Sequence, residues 1–185
     1  MAEKELKPAI GKVLFTEEQI RERAKEIGAQ ISKDFEGEKV VLLGTLKGSV
    51  PWMAEVMKWI TTSVEIDFIG ASSYGSSTIS SGVAKFWLEP KENLYNKNVI
   101  VVEDIIDTGN TLSYVIKKLE ERNPKVVKIC TMLDKSARRV ADIQGDYVGF
   151  PVEDLFVVGY GLDYDEKYRN LPYISFLDEQ DVEAL

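Results

Sequence analysis

The residues best placed to do chemistry gather at one junction. An apolar run, Val99 to Val102, ends in Glu103 and Asp104; Asp107 follows three positions later, with Thr108, Gly109, Asn110 and Thr111 behind it. Carboxylates crowded at the end of a buried strand have a cost that an isolated helix cap does not explain. The segment Asp107 to Thr111 carries a glycine that lets the backbone curl. Several N–H groups can then face one point, where a helix N-terminus adds positive potential and two threonines add hydroxyl donors. That is a cradle for a monophosphate. Glu103 and Asp104, a few ångströms up-chain, are acceptor-only groups able to bind the two hydroxyls of a ribose or a hydrated Mg²⁺. Neither G-x-x-x-x-G-K-[ST] nor a helix-opening G-x-G-x-x-G occurs, so the cradle is of neither the Walker nor the dinucleotide kind.

The elements that must position these groups alternate between strand and helix. Thr16 and Gln19 form a capping box, with Phe15 and Ile20 as a hydrophobic staple, ahead of Ile20, Ala24, Ile27 and Ile31 at helical spacing. Lys39–Leu43 reads as a strand, Gly44–Ser49 as a turn, and Pro51 as the first turn of a helix carrying Trp52, Val56, Trp59 and Ile60. Val64, Ile66 and Phe68 alternate with acids as a half-exposed strand, and Val83–Leu88 gives another. Val99–Val102 is a buried strand, and Leu112, Val115, Ile116 and Leu119 mark the helix after the cradle. Asn123-Pro124 ends that helix, and Val126–Leu133 begins a further strand. A mostly parallel α/β sheet in one domain follows, with ligands expected beyond the carboxyl ends of its strands.

Composition narrows the chemistry. The chain has 185 residues, 44% of them apolar, and a net charge of −8, which disfavours a nucleic-acid surface. It contains no histidine, so His-based acid–base chemistry, Ser-His or Cys-His nucleophiles and His-ligated zinc are excluded. The single Cys130 lies in an apolar run and reads as a buried structural thiol, suited to a reducing cytoplasm. With neither a leader-like segment nor an apolar stretch of roughly 18 residues, a soluble cytoplasmic protein without membrane contact is expected.

VVEDIIDTGNTL resembles the signature by which the type I phosphoribosyltransferases bind 5-phosphoribosyl-1-pyrophosphate (PRPP): two acids, two apolar residues, then Asp-Thr-Gly. LLGTLKGSV resembles the pyrophosphate loop of that family, SSYGSSTISSG its mobile loop, LDKSARR its purine-contacting lysine, and FVVGYGLDYDEKYRNLPYI its C-terminal purine and pyrophosphate segment. Together they resemble the 6-oxopurine branch, which acts on hypoxanthine and guanine.

The resemblance implies a fold with a mostly parallel central sheet flanked by helices, a core at about residues 36–155, and a small hood from the terminal segments. It implies transfer of the phosphoribosyl group from PRPP to hypoxanthine or guanine, giving IMP or GMP and pyrophosphate, with Mg²⁺ and as a homodimer or homotetramer. The implied roles are Asp107 as proton acceptor within the cradle Asp107–Thr111, and Glu103 and Asp104 for ribose and metal. Lys47, Gly48 and Arg169 would hold pyrophosphate, with a cis peptide before Lys47. Lys135 would meet the purine O6, Phe156 would stack on the ring and Val157 meet its edge through the backbone. Asp163, on the purine segment, would hold a second Mg²⁺, and Ser73 and Tyr74 would form the lid tip. Bacterial relatives commonly carry Lys-Pro where this chain has Lys135-Ser136. Taken alone, Lys135 also reads as an exposed lysine beside Asp134, and Gly70–Gly82 as a plain flexible connector. Rival functions are a PRPP-sensing regulator of the same fold and an enzyme for another base, such as xanthine. Residues 1–35 fall outside the motifs and are expected to cover the site or contact another subunit.

Overall fold

A computed structural model describes residues 11–73 and 84–177. Its strands are β1 (Lys12–Phe15), β2 (Lys39–Thr45), β3 (Ser63–Ser73), β4 (Ala84–Leu88), β5 (Asn98–Ile106), β6 (Val126–Asp134), β7 (Tyr147–Pro151), β8 (Phe156–Val158) and β9 (Ile174–Leu177); its α-helices are α1 (Glu17–Asp34), α2 (Val50–Val56) and α3 (Asn110–Glu120). The central sheet has the order β4-β3-β2-β5-β6-β7. All its pairings are parallel except β3 with β4.

Helix α1 starts as its sequence requires. The Thr16 hydroxyl accepts from the Gln19 N–H at 3.3 Å while the Gln19 side chain accepts from the Thr16 N–H at 2.9 Å, which satisfies two donors left over at the helix start. Its buried stripe, Ile20, Ala24, Ile27 and Ile31, packs in one cluster with Trp52 and Val56 of α2 and with Val40, Leu42, Ile100 and Val102 of the sheet. Leu112, Val115 and Leu119 of α3 pack on the other face against Val41, Leu43, Val99 and Val101. The alternation of inward residues along β2 and β5 between these two clusters is the period of a strand covered on both sides. Cys130 is wholly buried, and burial pushes its thiol up to about 12, as expected of an inert structural thiol.

Two details go beyond the sequence reading, and a third agrees with it. Strand β5 runs through Ile106, four residues beyond Val102, so Glu103 and Asp104 are strand residues rather than the start of a loop. Strand β3 likewise reaches Ser73, so the first residues of the supposed flexible connector are sheet; its remainder, including Tyr74, lies outside the described residues. Finally, β1, β8 and β9 form a separate antiparallel sheet from the two ends of the chain. This is the small hood, and residues of the N-terminal segment enter it.

Candidate active site

The carboxyl ends of β2 and β5 and the start of α3 converge on a cavity of about 200 Å³ whose wall includes Thr45, Glu103, Asp107, Thr108 and Thr111. Gly109 caps α3 with φ +80°, a conformation glycine adopts at no steric cost. A Cβ there would press on Ile143 and on the aliphatic stem of Arg139, so the turn is closed to larger residues by space as well as by dihedral angle. The first backbone bond of α3 runs from the Ser113 N–H to the Gly109 carbonyl at 2.8 Å. The N–H groups of Thr111 and Leu112 are the donors that a helix N-terminus leaves for an anion, while that of Asn110 makes a long bond to the Thr108 hydroxyl at 3.5 Å.

Asp107 stands at the mouth of this turn. Its Oδ1 is buried with no hydrogen-bond partner among the described residues, and its Oδ2 lies 3.6 Å from Nη1 of the half-exposed Arg138. A buried acceptor without a donor costs free energy unless something supplies a proton.

Up-strand, Oε1 of Glu103 accepts from the Thr45 hydroxyl at 2.8 Å and from the Asp104 N–H at 3.2 Å. Burial, reinforced by the adjoining Asp104 charge, pushes the Glu103 carboxyl well above the usual carboxylate range. Two neighbouring carboxylates of this kind suit a cation, which would relieve both desolvation and repulsion. Among the described residues no three Asp, Glu, His or Cys side chains gather as a metal cage. A Mg²⁺ would thus take one or two carboxylates here and the rest of its ligands from substrate oxygens and water.

The turn after β2 packs directly on this pair. A Cβ on Gly48 would overlap the Asp104 carboxylate, and one on Gly161 would overlap the Gly48 carbonyl, so Gly48 is there for close approach. The Leu46–Lys47 peptide is cis, as the resemblance implied, and Ser49 ties the turn by donating to the Thr45 carbonyl at 2.6 Å. Lys47 reaches Glu166 at 2.9 Å. Arg169 donates to the Gly161 carbonyl at 2.8 Å and pairs with Asp163 at 2.8 Å, while its Nε is buried without a partner among the described residues.

At the end of β6, Lys135 is only 5% exposed. This overturns the reading of an exposed lysine beside Asp134: the ammonium donates to the Leu155 carbonyl at 2.7 Å and lies 3.6 Å from Asp154, which holds it beside β8. There Phe156 presents a half-exposed ring edge-on to Tyr164 at 5.6 Å, and Val157 is buried.

One residue escaped the sequence reading. Arg139, the last letter of LDKSARR, donates to the carbonyls of Asp107 at 2.9 Å and Ile106 at 3.0 Å, donates to the Ile143 carbonyl, and pairs with Asp134. It ties the base of the Asp107–Thr111 turn to Asp134, the last residue of β6, next to Lys135. The paired arginines were a visible signal, but nothing in the spacing says which turns inward.

The described residues of the signature stretches thus lie around the ends of β2, β5 and β6 and along β8, and the chain matches the phosphoribosyl transferase domain over residues 14–165. It belongs to the phosphoribosyltransferase family. This phosphoribosyltransferase is 50% identical over 174 residues to a hypoxanthine-guanine phosphoribosyltransferase of Streptococcus mutans, covering 94% of this chain and 97% of that one. It is 47% identical over 172 residues to that of Bacillus subtilis, covering 93% and 96%. A crystal structure of a hypoxanthine phosphoribosyltransferase from Staphylococcus aureus superposes with a TM-score of 0.89 at 45% identity, covering 92% of this chain and 93% of that one. One of a hypoxanthine-guanine phosphoribosyltransferase from Bacillus anthracis gives 0.88 at 47%, covering 92% and 100%. The fold class expected from the sequence is borne out.

Proposed function

We infer that this phosphoribosyltransferase salvages purines by moving the 5-phosphoribosyl group of PRPP to hypoxanthine or guanine, giving IMP or GMP and pyrophosphate. The observation that carries the reading is the unpartnered, buried Oδ1 of Asp107 at the mouth of a turn whose amides suit a phosphate: anion donors and a proton acceptor lie side by side. The names of the relatives agree with it.

In this reading, amides and hydroxyls of Asp107 to Thr111 hold the 5′-phosphate, and Glu103 and Asp104 hold the ribose hydroxyls. Anchoring the sugar at its far end fixes C1′ against the incoming base, so the cradle acts by positioning. Lys135 donates to O6, which a 6-amino purine could not accept, and Phe156 stacks on the ring while the Val157 backbone meets its edge. The base nitrogen attacks C1′ as the C1′–O bond to pyrophosphate breaks. Charge leaving with the pyrophosphate is met by Lys47, Arg169 and the amides of the Lys47–Gly48 turn, and the proton lost by the base passes to Asp107. Glu103 and Asp104, with Asp163 for a second ion, would hold Mg²⁺, which supplies charge neutralisation when bound. Ser73 and Tyr74 are assigned to a lid that excludes water.

The whole described chain is read as one catalytic domain with its hood, working in the cytoplasm as a homodimer or homotetramer. The exposed Trp87 and Tyr95 support association. The test is an absorbance assay with PRPP, Mg²⁺ and each of hypoxanthine, guanine, xanthine and adenine. Turnover with the first two and none with adenine is expected. Activity with none of the four would leave the PRPP-sensing reading, and activity with xanthine or adenine alone would reassign the base.

A further inference from the structure

The two cations assigned to pyrophosphate share an anion of the protein's own. Glu166 gives one carboxylate oxygen to Lys47 Nζ at 2.9 Å and the other to Arg169 Nη2 at 3.3 Å. Nothing in the sequence spacing assigns Glu166 a task, yet the chain goes to some length to aim it here. Asp165, Glu166 and Tyr168 have φ of +50°, +62° and +74°, which residues with side chains rarely adopt. The turn is held by reciprocal backbone bonds between Tyr164 and Lys167 at 3.2 and 3.0 Å, and by the Glu166 N–H donating to Asp163 at 2.9 Å.

We propose that Glu166 is an internal counter-anion of the pyrophosphate site, its carboxylate competing with pyrophosphate for Lys47 and Arg169 and so limiting how tightly that product is held. The proposal rests on the assignment of these two cations to pyrophosphate. A carboxylate and a phosphate oxygen make the same charge-assisted bonds to ammonium and guanidinium, so one must leave for the other to enter. An enzyme that gripped pyrophosphate with two uncontested cations would release it slowly, and a tethered competitor speeds release without altering groups that contact the purine. Lys47 and Glu166 are largely exposed and Arg169, which also keeps Asp163 at 2.8 Å, is 27% exposed; at such a site each ion pair contributes a factor of about 1.4 to 5. The product of two such factors runs from about 2 to about 25, and the middle of that range, about 3- to 10-fold, is the expected gain in affinity.

The test is calorimetric titration of magnesium pyrophosphate into the protein, alongside product inhibition by pyrophosphate, at low and high salt. Glu166→Gln keeps the shape and removes the charge; Asp165→Asn removes the same charge from the next residue, which pairs only weakly with Lys167 at 3.8 Å. Glu166→Gln is expected to bind pyrophosphate about 3- to 10-fold more tightly, with the gain shrinking as salt rises, while Asp165→Asn changes it by less than about 1.5-fold. Equal effects of the two variants, or weaker binding by Glu166→Gln, would overturn the proposal. Lys47→Ala and Arg169→Gln separate the two levels. If both weaken pyrophosphate while Glu166→Gln leaves it unchanged, only the counter-anion role fails; if neither weakens it, the assignment of the site fails and this role with it.

Discussion

Arg139 offers the most direct test of how the site is held together. Its side chain is 14% exposed and its Asp134 partner 24%, and the guanidinium also serves the carbonyls of Ile106, Asp107 and Ile143. Arg139→Gln shortens the reach and removes the charge. Asp134 is left without its cation and the Asp107 carbonyl without this donor, whereas Ile106 keeps the Lys135 N–H at 2.9 Å. Breaking a buried pair by removing one partner costs about 3–5 kcal/mol. The residual exposure of both groups and the retained Ile106 bond bring this to about 2–3 kcal/mol, or roughly 4–12 °C in Tm for a chain of this length. The functional consequence is more specific than the loss of stability. The same guanidinium secures the Asp107–Thr111 turn, proposed above to hold the 5′-phosphate, and the end of β6 next to Lys135, so KM for PRPP and KM for hypoxanthine should rise together, by about tenfold each. Arg139→Lys, with no fork to span several acceptors, should not rescue them, but added guanidinium ion should do so in part. Thermal unfolding and initial-rate kinetics on the same preparations decide it. A variant with lowered Tm but unchanged KM values would make Arg139 a structural tie alone, and one unchanged in both would refute the reasoning.

Three further outcomes follow from the same geometry. Asp107→Asn keeps the side chain's shape and gives up only the exposed Arg138 pair, worth at most about 1 kcal/mol; kcat should fall by about 10²- to 10⁴-fold with Tm nearly unchanged, and wild-type kcat would remove Asp107 from the proton path. Lys135→Met, by losing a charge-assisted bond of about 1.5–3 kcal/mol, should raise KM for hypoxanthine and guanine by about 10- to 100-fold and leave that for PRPP within about twofold, equal losses counting against a purine contact. For Glu103, the carboxyl raised by burial and by Asp104 keeps a proton that the unfolded chain has already released. Unfolding then releases protons, so stability is greatest below the ordinary glutamate range and falls as pH rises through the elevated value. In metal-free buffer, Glu103→Gln should flatten that slope and stabilise the protein at neutral pH by about 0.5–2 kcal/mol while weakening PRPP binding; an unaltered slope in urea melts across pH would reject it.

The parts of this molecule legible in its sequence are those where a local rule has one solution. Thr16 and Gln19 could cap a helix start in only one way, and the two-sided burial of Val99 to Val102 required a covered strand. The glycine after it required a turn into the next helix, which Gly109 makes with φ +80°. Lys135 was harder, because the sequence places it beside Asp134 while the ammonium is committed to Leu155 and Asp154, twenty residues on. What made it buried is tertiary, the return of the chain along β7 and β8. Arg139 and Glu166 were not legible for the same reason. Each draws its meaning from partners brought close by folding: carbonyls of a turn thirty residues earlier for Arg139, and a lysine more than a hundred residues away for Glu166. Groups that touch a substrate are constrained in type and spacing by the substrate's own shape and so leave a pattern in the sequence. Groups that restrain or oppose them answer only to the geometry of the finished fold, and there a charge that looks like ordinary surface turns out to be bound.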